Sequence, residues 1–321
     1  MNNIKHNRMD KLIMENGIIG LIGLGVIGVP IAHKLYKKYK DDFIVLASGK
    51  RKERLLHGQM VVNGENFTPR VISASSEIKK HVDLLIVCVK NYDLMTALAD
   101  IKNIIDENTI VLPLQNGIYS YEFFSEESPK NLILQGYVQG PNTVIQGENM
   151  NYSNPGSMHI GDRVNSVLDI AADIYSRLRL AGIEVHLEQD IKRMVWKKWM
   201  LNVAGNSVTA LTGADYSCFK NNPSLISLCV NAMREFLIVA KTQKVCLEEK
   251  DIDDIINYYI TYNGAKKTSM LMDVLYERRT ENDYLAGRVI EIAAREQVSV
   301  PIISTLYNLI RAKEEIYLKR K

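Results

Sequence analysis

The chain of 321 residues is long enough to form two domains, and its 46% hydrophobic and 24% charged residues are ordinary for a globular protein. A net charge of +3 is too small to indicate a nucleic-acid-binding protein. Four cysteines and six histidines form no C-x-x-C or H-E-x-x-H pattern. We therefore expect reduced thiols, no metal site and a cytoplasmic location.

The first sixteen residues are polar and mixed in charge, without the apolar run of a signal peptide, and are interpreted as an N-terminal extension. No apolar run approaches the roughly 20 residues that a membrane-spanning helix needs, so no membrane partner is expected.

The first half of the chain alternates short apolar runs with amphipathic segments. These predict strands at 18–22, 43–47, 83–90 and 109–114, and helices at 26–39 and 91–105. Apolar strands that alternate with helices are typical of a parallel sheet covered on both faces. Between the second and third of these strands, Val62-Asn63-Gly64 predicts a hairpin.

The pattern changes after residue 131. Strand-like pieces at 132–138 and 157–160 flank a stretch rich in Gly, Asn and Pro and predict an antiparallel extension of the sheet, followed by a helix at 164–181 and a strand at 183–186. From residue 188 onward each strong pattern is helical, at 191–211, 223–243, 248–260, 266–273, 282–296 and 301–320. The predicted fold is α/β: a Rossmann-type doubly wound sheet with an antiparallel extension over 17–188, then an all-α domain over 189–321.

A glycine-rich turn, Gly23-Leu24-Gly25-Val26-Ile27-Gly28, follows the first predicted strand and opens the first helix. This is the context that a dinucleotide-binding fingerprint requires. Gly23 permits the tight turn, Gly25 lets the backbone approach a pyrophosphate, and Gly28 lets helix and strand pack closely. All six residues are therefore predicted to bind a cofactor.

The cofactor is also contacted at the ends of the strands. After the second strand Ser48, Lys50 and Arg51 occur where NAD sites usually carry an acid, which favours the 2′-phosphate of NADP. Lys90 and Asn116 follow the next two strands and are expected to overhang the cofactor. Each could instead be a turn residue.

A polar stripe runs through the predicted helix 191–211. Lys198, Asn202 and Asn206 are four residues apart and share one face, among apolar neighbours. Buried ammonium and amide groups are costly unless a polar partner faces them. A small substrate and water are both suitable partners, and this segment alone leaves the choice open.

Taken in order, these motifs resemble the ketopantoate reductase (2-dehydropantoate 2-reductase) family over nearly all of residues 17–318. Besides the glycine turn, the resemblance is carried by Leu114-Gln115-Asn116-Gly117, by Lys198, Asn202 and Asn206 with Val208-Thr209-Ala210-Leu211, by Ser269-Met270-Leu271-Met272-Asp273, by Arg278-Arg279-Thr280-Glu281 and by Val300-Pro301. It implies that Lys198 is catalytic, that Asn116 lies near nicotinamide and substrate, and that the substrate is also bound by Asn202, Asn206, Ser269 and Glu281.

The chain departs from the family pattern at three places. Ser48 stands where the family often has Arg, so Lys50 or Arg51 must hold the 2′-phosphate. Ala286-Gly287 replaces the family's Asn-Gly, and residues 139–152 are unusually long and polar.

The predicted function is NADPH-dependent reduction of a branched 2-oxo acid, with 2-dehydropantoate to (R)-pantoate, in pantothenate and coenzyme A biosynthesis, as the first candidate. The only expected partners are this small molecule and a second copy bound through the helical domain. A reductase of another 2-oxo acid and a non-catalytic NADP-sensing protein remain alternatives. The 3-hydroxyacid dehydrogenase group is disfavoured because residues 187–194 lack its glycine-rich run.

Overall fold

The computed structural model describes residues 17–57, 60–73, 81–163, 168–262 and 264–320. The chain divides into two compact units. The first runs to Gln115 and includes Ser120–Ile191, and the second combines Asn116–Tyr119 with Lys192–Lys321. The predicted extension 1–16 and residues 164–167 of a predicted helix lie outside the described residues, and the predicted domain limits stay predictions.

The first unit is built on a six-stranded parallel sheet in the order β5-β2-β1-β6-β7-β8. Its strands are β1 (Ile19–Ile22), β2 (Phe43–Leu46), β5 (Arg70–Ile72), β6 (Leu84–Val87), β7 (Ile110–Pro113) and β8 (Leu132–Ile133). Every residue of β1, β2, β6 and β7 is buried, as their Ile, Leu and Val runs predict. The predicted Rossmann-type sheet is confirmed.

The direction in which successive strands are added to the sheet reverses between β1 and β6. Helix α1 (Gly28–Tyr39) leads from β1 to β2 on one side, and α3 (Leu94–Ile101) leads from β6 to β7 on the other. Right-handed crossovers place these helices on opposite faces of the sheet. In doubly wound folds a ligand binds at such a switch point, outside the carboxyl ends of the strands. The remaining helices of this unit are α2 (Gly49–His57), α4 (Tyr119–Glu127) and α5 (Leu168–Leu180).

The predicted hairpin at Val62-Asn63-Gly64 is also confirmed. Strands β3 (Val61–Val62) and β4 (Glu65–Asn66) are antiparallel. They are joined by Asn63 and Gly64 at φ 50° and 78°. Positive φ at both central residues is the requirement of a type I′ turn, which Asn-Gly meets at low cost.

In place of a purely antiparallel extension, the chain forms two small mixed sheets. Strands β9 (Gln135–Gln139), β12 (Ser157–Gly161) and β13 (Val185–Leu187) form one, while β10 (Asn142–Gln146) and β11 (Asn149–Asn154) form a hairpin that extends the β3–β4 pair. In these sheets β9–β12 and β10–β11 are antiparallel, while β12–β13 and β3–β11 are parallel. The polar stretch that departs from the family pattern therefore folds as this second hairpin. Its register is held from outside, since Asn63 accepts the backbone N–H of Tyr152 at 2.8 Å.

The second unit is helical, as predicted. Its elements are α6 (Ile191–Leu201), a π-helix (Asn202–Asn206), α7 (Ser207–Thr212), α8 (Pro223–Thr242), α9 (Glu249–Thr261), α10 (Ser269–Leu275), a second π-helix (Asp283–Gly287), α11 (Arg288–Arg295) and α12 (Pro301–Leu318). Trp199 packs at its centre, with ring centroids 5.0 Å from both Trp196 and Phe236.

Helix α8 corrects the expectation that no segment has the length of a membrane span. Among the described residues it is the one helix long and apolar enough to cross a membrane, with a mean hydropathy of 1.4. A core helix meets the same test. Here the buried carboxylate of Glu235, in α8, accepts the backbone N–H groups of Ile302 and Ile303 at the start of α12, both at 2.9 Å.

The prediction of one continuous α-helix over 191–211 is wrong at its middle, where Asn202–Asn206 form a π-helix. The cause lies in a distant tyrosine. The Tyr259 hydroxyl donates to the carbonyl of Leu201 at 2.9 Å, and a Cβ added at Gly205 would lie 2.1 Å from that hydroxyl oxygen. The glycine therefore admits the tyrosine, and the tyrosine supplies a donor where the regular helix ends.

A double-mutant cycle tests this arrangement. Gly205→Ala should lower the free energy of unfolding by about 2 kcal/mol, because Tyr259 is fixed among Tyr216 and Phe219 and its ring has no room to move. Tyr259→Phe should cost about 1–3 kcal/mol by leaving the buried Leu201 carbonyl without its donor. In urea denaturation the double variant should lose less free energy of unfolding than the two single variants together, since the hydroxyl nearest the added methyl group is absent. Strictly additive costs would contradict this explanation.

Candidate active site

The glycine turn is shaped both by packing and by open space. Gly23 has φ 100°, and an added Cβ there would lie 2.5 Å from the backbone nitrogen of Val89. At Gly28 it would lie 1.9 Å from the carbonyl oxygen of Gly23. At Gly25, by contrast, it would meet nothing within 4 Å. Gly23 and Gly28 are thus required by the fold, whereas Gly25 borders free space.

This turn fits a pyrophosphate. Helix α1 begins without a side-chain cap and without an acid in its first turn, so no side chain there compensates the positive end of its dipole. The turn is tied to the β10–β11 hairpin, because Thr143 donates to the carbonyl of Val26 at 2.8 Å. Binding of a dinucleotide by residues 23–28 stays a prediction, and the open space beside Gly25 is compatible with it.

The end of β2 carries charges of both signs. Lys50 and Arg51 are exposed at the start of α2 and pair with none of the described residues. The Ser48 hydroxyl, however, donates to Asp100 Oδ1 at 2.5 Å. Asp100 belongs to α3, 52 residues away, and the sequence reasoning missed it. Although the sequence has no acid at the end of β2, the fold therefore brings Asp100 next to Ser48.

Of the residues predicted after the next strands, Lys90 lies in the first unit, whereas Asn116 belongs to the second. In that unit Asn202 Nδ2 donates to Asn116 Oδ1 at 3.1 Å, and Asn206 Nδ2 approaches Asn202 Oδ1 at 3.5 Å. Asn202 and Asn206 are 4% and 3% exposed. The structure thus joins three predicted substrate residues in one line of side-chain amides.

Lys198 lies in the last turn of α6, half-buried, and makes no hydrogen bond or ion pair with the described residues. Burial, with repulsion from Lys266 as a second cause, lowers the pKa of Lys198 to about 8. Its neighbour Lys197 shows the contrast, because ion pairs with Asp251 at 3.0 Å and Asp254 at 2.7 Å raise its pKa. Lys198 is therefore a cation at neutral pH that loses its proton at a lower pH than an ordinary lysine.

Lys266 is a second residue that the sequence reasoning missed. It has no acid partner in the part of the chain that the structure describes, burial lowers its pKa, and its ammonium lies 5.6 Å from the ring centroid of Tyr262. In the sequence, the feature that could have identified Lys266 is its position three residues before the predicted Ser269. Two residues along, Thr268 bonds the Thr209 hydroxyl at 2.7 Å, which fixes this segment against α7.

Ser269 and Glu281 lie on elements that pack around the first π-helix. Ser269 is exposed as the first residue of α10, and it is Thr268 that caps this helix by accepting the N–H of Leu271 at 3.2 Å. Glu281 is buried, 6% exposed, just before the second π-helix. Trp199 of α6 bonds the second π-helix, where its indole N–H donates to Leu285 O at 3.2 Å.

Two further predictions concern the surroundings of these residues. Asp273, expected to hold the site together, pairs with Arg278 at 2.9 Å. Within the described ranges no group of three or more His, Cys, Asp or Glu side chains could hold a metal ion.

Known families and proteins resemble the chain over most of its length. The model of the family "Ketopantoate reductase PanE/ApbA" matches residues 19–165, and that of "Ketopantoate reductase PanE/ApbA C terminal" matches residues 190–314. A 2-dehydropantoate 2-reductase from Pyrococcus horikoshii is 24% identical over 302 residues, which cover 93% of this chain and 98% of that protein.

Solved structures share the fold. A D-mandelate dehydrogenase in complex with NADH and anilino(oxo)acetate has a TM-score of 0.84 at 21% identity, covering 94% of this chain and 99% of that one. A dimeric ketopantoate reductase from Staphylococcus aureus has a TM-score of 0.77 at 20% identity, covering 93% and 99%. With both family models matched in order along the chain, the resemblance seen in the sequence is confirmed: the protein belongs to the ketopantoate reductase family.

Proposed function

We propose that the protein reduces the keto group of a branched 2-oxo acid with NADPH, and that 2-dehydropantoate, giving (R)-pantoate, is its substrate. The observation that carries this proposal is Lys198, a half-buried ammonium that pairs with no acid among the described residues and precedes the linked amides of Asn202 and Asn206 in the same run of helix. The Pyrococcus relative supports this substrate. The D-mandelate dehydrogenase supports a second candidate, reduction of a different 2-oxo acid on the same fold.

A nicotinamide cofactor held by residues 23–28 would supply the hydride that reduces the keto carbon. Negative charge then develops on the carbonyl oxygen, and the Lys198 ammonium donates its proton to that oxygen. A lysine with a pKa of about 8 remains protonated at neutral pH, yet gives up its proton more readily than an ordinary lysine. In the reverse direction the neutral amine accepts the proton of the hydroxyl.

The surrounding polar groups orient the substrate. The linked amides of Asn116, Asn202 and Asn206 present donors and acceptors on a fixed backbone, because a π-helix carries two of them. Glu281 accepts a hydrogen bond from the distal hydroxyl of the substrate, and Ser269 donates to its carboxylate. A site built to bond a hydroxyl discriminates against analogues that lack it by about 10⁴-fold.

Lys266 contributes the second positive charge of the site. Two partly desolvated ammonium groups that repel each other are costly in the free protein, and an anion between them removes the cost. The carboxylate next to the keto group of a 2-oxo acid is such an anion. Lys266 is therefore proposed to bind this carboxylate while Lys198 acts on the keto oxygen.

The function is tested by steady-state oxidation of NADPH with a panel containing 2-dehydropantoate, phenylglyoxylate and unbranched 2-oxo acids. Lys198→Met should lower kcat by about 10²–10⁴-fold, the range of general acid catalysis, with little change in NADPH binding. The matched control is Lys197→Met, which removes the adjacent ammonium that pairs with Asp251 and Asp254 and should retain kcat. Wild-type turnover by the Lys198 variant would refute the mechanism. Tight NADPH binding without turnover on any 2-oxo acid would favour a sensing protein.

The pH dependence tests the pairing of the lysines. Reduction requires protonated Lys198, so kcat/KM should fall as pH rises through about 8. Lys266→Gln removes a repulsive charge, which raises the pKa of Lys198 and moves this fall to higher pH. It should also raise KM for the 2-oxo acid by about tenfold, the value of one charged hydrogen bond.

The neighbouring, exposed Lys267 gives the control for charge alone, since Lys267→Gln removes the same charge one residue along. It should leave both the pH profile and KM unchanged. An unshifted profile in the Lys266 variant, or an equal shift in both variants, would remove Lys266 from the site.

The dimeric Staphylococcus aureus structure supports the predicted homodimer for this chain, to be measured by light scattering. The cytoplasmic location stays a prediction.

A further inference from the structure

The end of β2 contains a hydrogen bond that brings an acid from another element to the position where cofactor choice is made. In doubly wound folds, an acid about 20 residues after the glycine turn bonds the 2′-hydroxyl of NAD, whereas a base there accommodates the 2′-phosphate of NADP. Ser48 stands 20 residues after Gly28 and is neither. Its hydroxyl donates to Asp100 Oδ1 at 2.5 Å, a short hydrogen bond.

The carboxylate of Asp100 has capacity left. Ser48 occupies one oxygen, and the other bonds none of the described residues, nor does any cation there form an ion pair with Asp100. An ionised carboxylate accepts several hydrogen bonds, so Asp100 retains acceptor sites after binding Ser48. Asp100 is partly exposed, which leaves those sites reachable by a ligand.

The cations nearby do not neutralise it. Lys50 and Arg51 are exposed and pair with nothing in the described ranges, and Lys52 donates to the hydroxyl of Ser73 at 3.0 Å. Two opposed determinants therefore meet after β2: bases in the first turn of α2 that attract a phosphate, and a carboxylate from α3 that repels one.

We infer that Asp100 is the residue that selects between the two nicotinamide cofactors, its carboxylate accepting the ribose 2′-hydroxyl of NADH and repelling the 2′-phosphate of NADPH. The acid that NAD-binding sites usually carry on β2 is supplied here by α3 and is aimed by Ser48. The wild-type protein accordingly binds NADH as well as NADPH, with Lys50 and Arg51 sustaining the phosphorylated form. This inference rests on the proposed function for its cofactor class.

The test is calorimetric titration of the full-length protein with NADPH and with NADH, alongside kcat/KM for each. Asp100→Asn keeps the shape of the side chain and a partner for Ser48 but removes the charge. The dissociation constant for NADPH should fall by about tenfold and that for NADH should rise by a similar factor, the effect expected for one charged hydrogen bond. Thermal unfolding of the variant checks that the fold is retained.

Two further variants sharpen the result. Glu107→Gln removes an exposed acid seven residues along, which pairs with none of the described residues, and should leave the ratio of the two dissociation constants unchanged. Ser48→Ala frees the carboxylate from its hydrogen bond and should weaken NADH binding without strengthening that of NADPH. A ratio that stays constant in Asp100→Asn while both cofactors bind would overturn the inference and leave the proposed function intact. Failure of the wild type to bind either cofactor would overturn both.

Discussion

The chemistry proposed for the second unit depends on the burial of one ammonium group. Lys198 follows Trp196 on α6 and precedes Trp199, and these two rings pack on Phe236 of α8 at the centre of the unit. The helix whose tryptophans pack in this core also carries Lys198, which is half-buried. Because no acid compensates it within the described residues, the cost appears as a pKa of about 8.

The same helix carries the amides by departing from α geometry. A π-helix places one more residue in its turn than an α-helix, so side chains four apart no longer align as the α spacing predicts. Gly205 allows this by admitting Tyr259, and Gly287 in the second π-helix lies close to the ring of Tyr307. Each irregular turn thus combines a missing side chain with an incoming aromatic ring. Irregular helical turns of this kind are frequent at functional sites.

The features that the sequence predicted correctly depend on residues close to one another in the chain. The buried strands, the glycine turn and the Asn63-Gly64 hairpin each follow from a few adjacent residues whose pattern has one good structural solution. The π-helix was missed because its cause, Tyr259, is 58 residues from the Leu201 carbonyl it bonds. The β10–β11 hairpin was missed because its alternation of apolar residues is weak and Asn63 holds it from outside. The proposed roles of Lys266 and Asp100 depend on neighbours in other elements of the fold.

Asp100 shows why cofactor choice is difficult to predict from the strand end alone. A charge acts through distance in space, and an acid on α3 that lies 2.5 Å from the Ser48 hydroxyl acts on a ligand there as an acid on β2 would. The run of bases after Ser48 predicts NADP because this motif includes only the residues that directly follow β2. When two elements contribute opposite charges, their balance sets the preference, and small changes at either one can move it. The Ser48 hydroxyl can hold the Asp100 carboxylate in place without cancelling its charge.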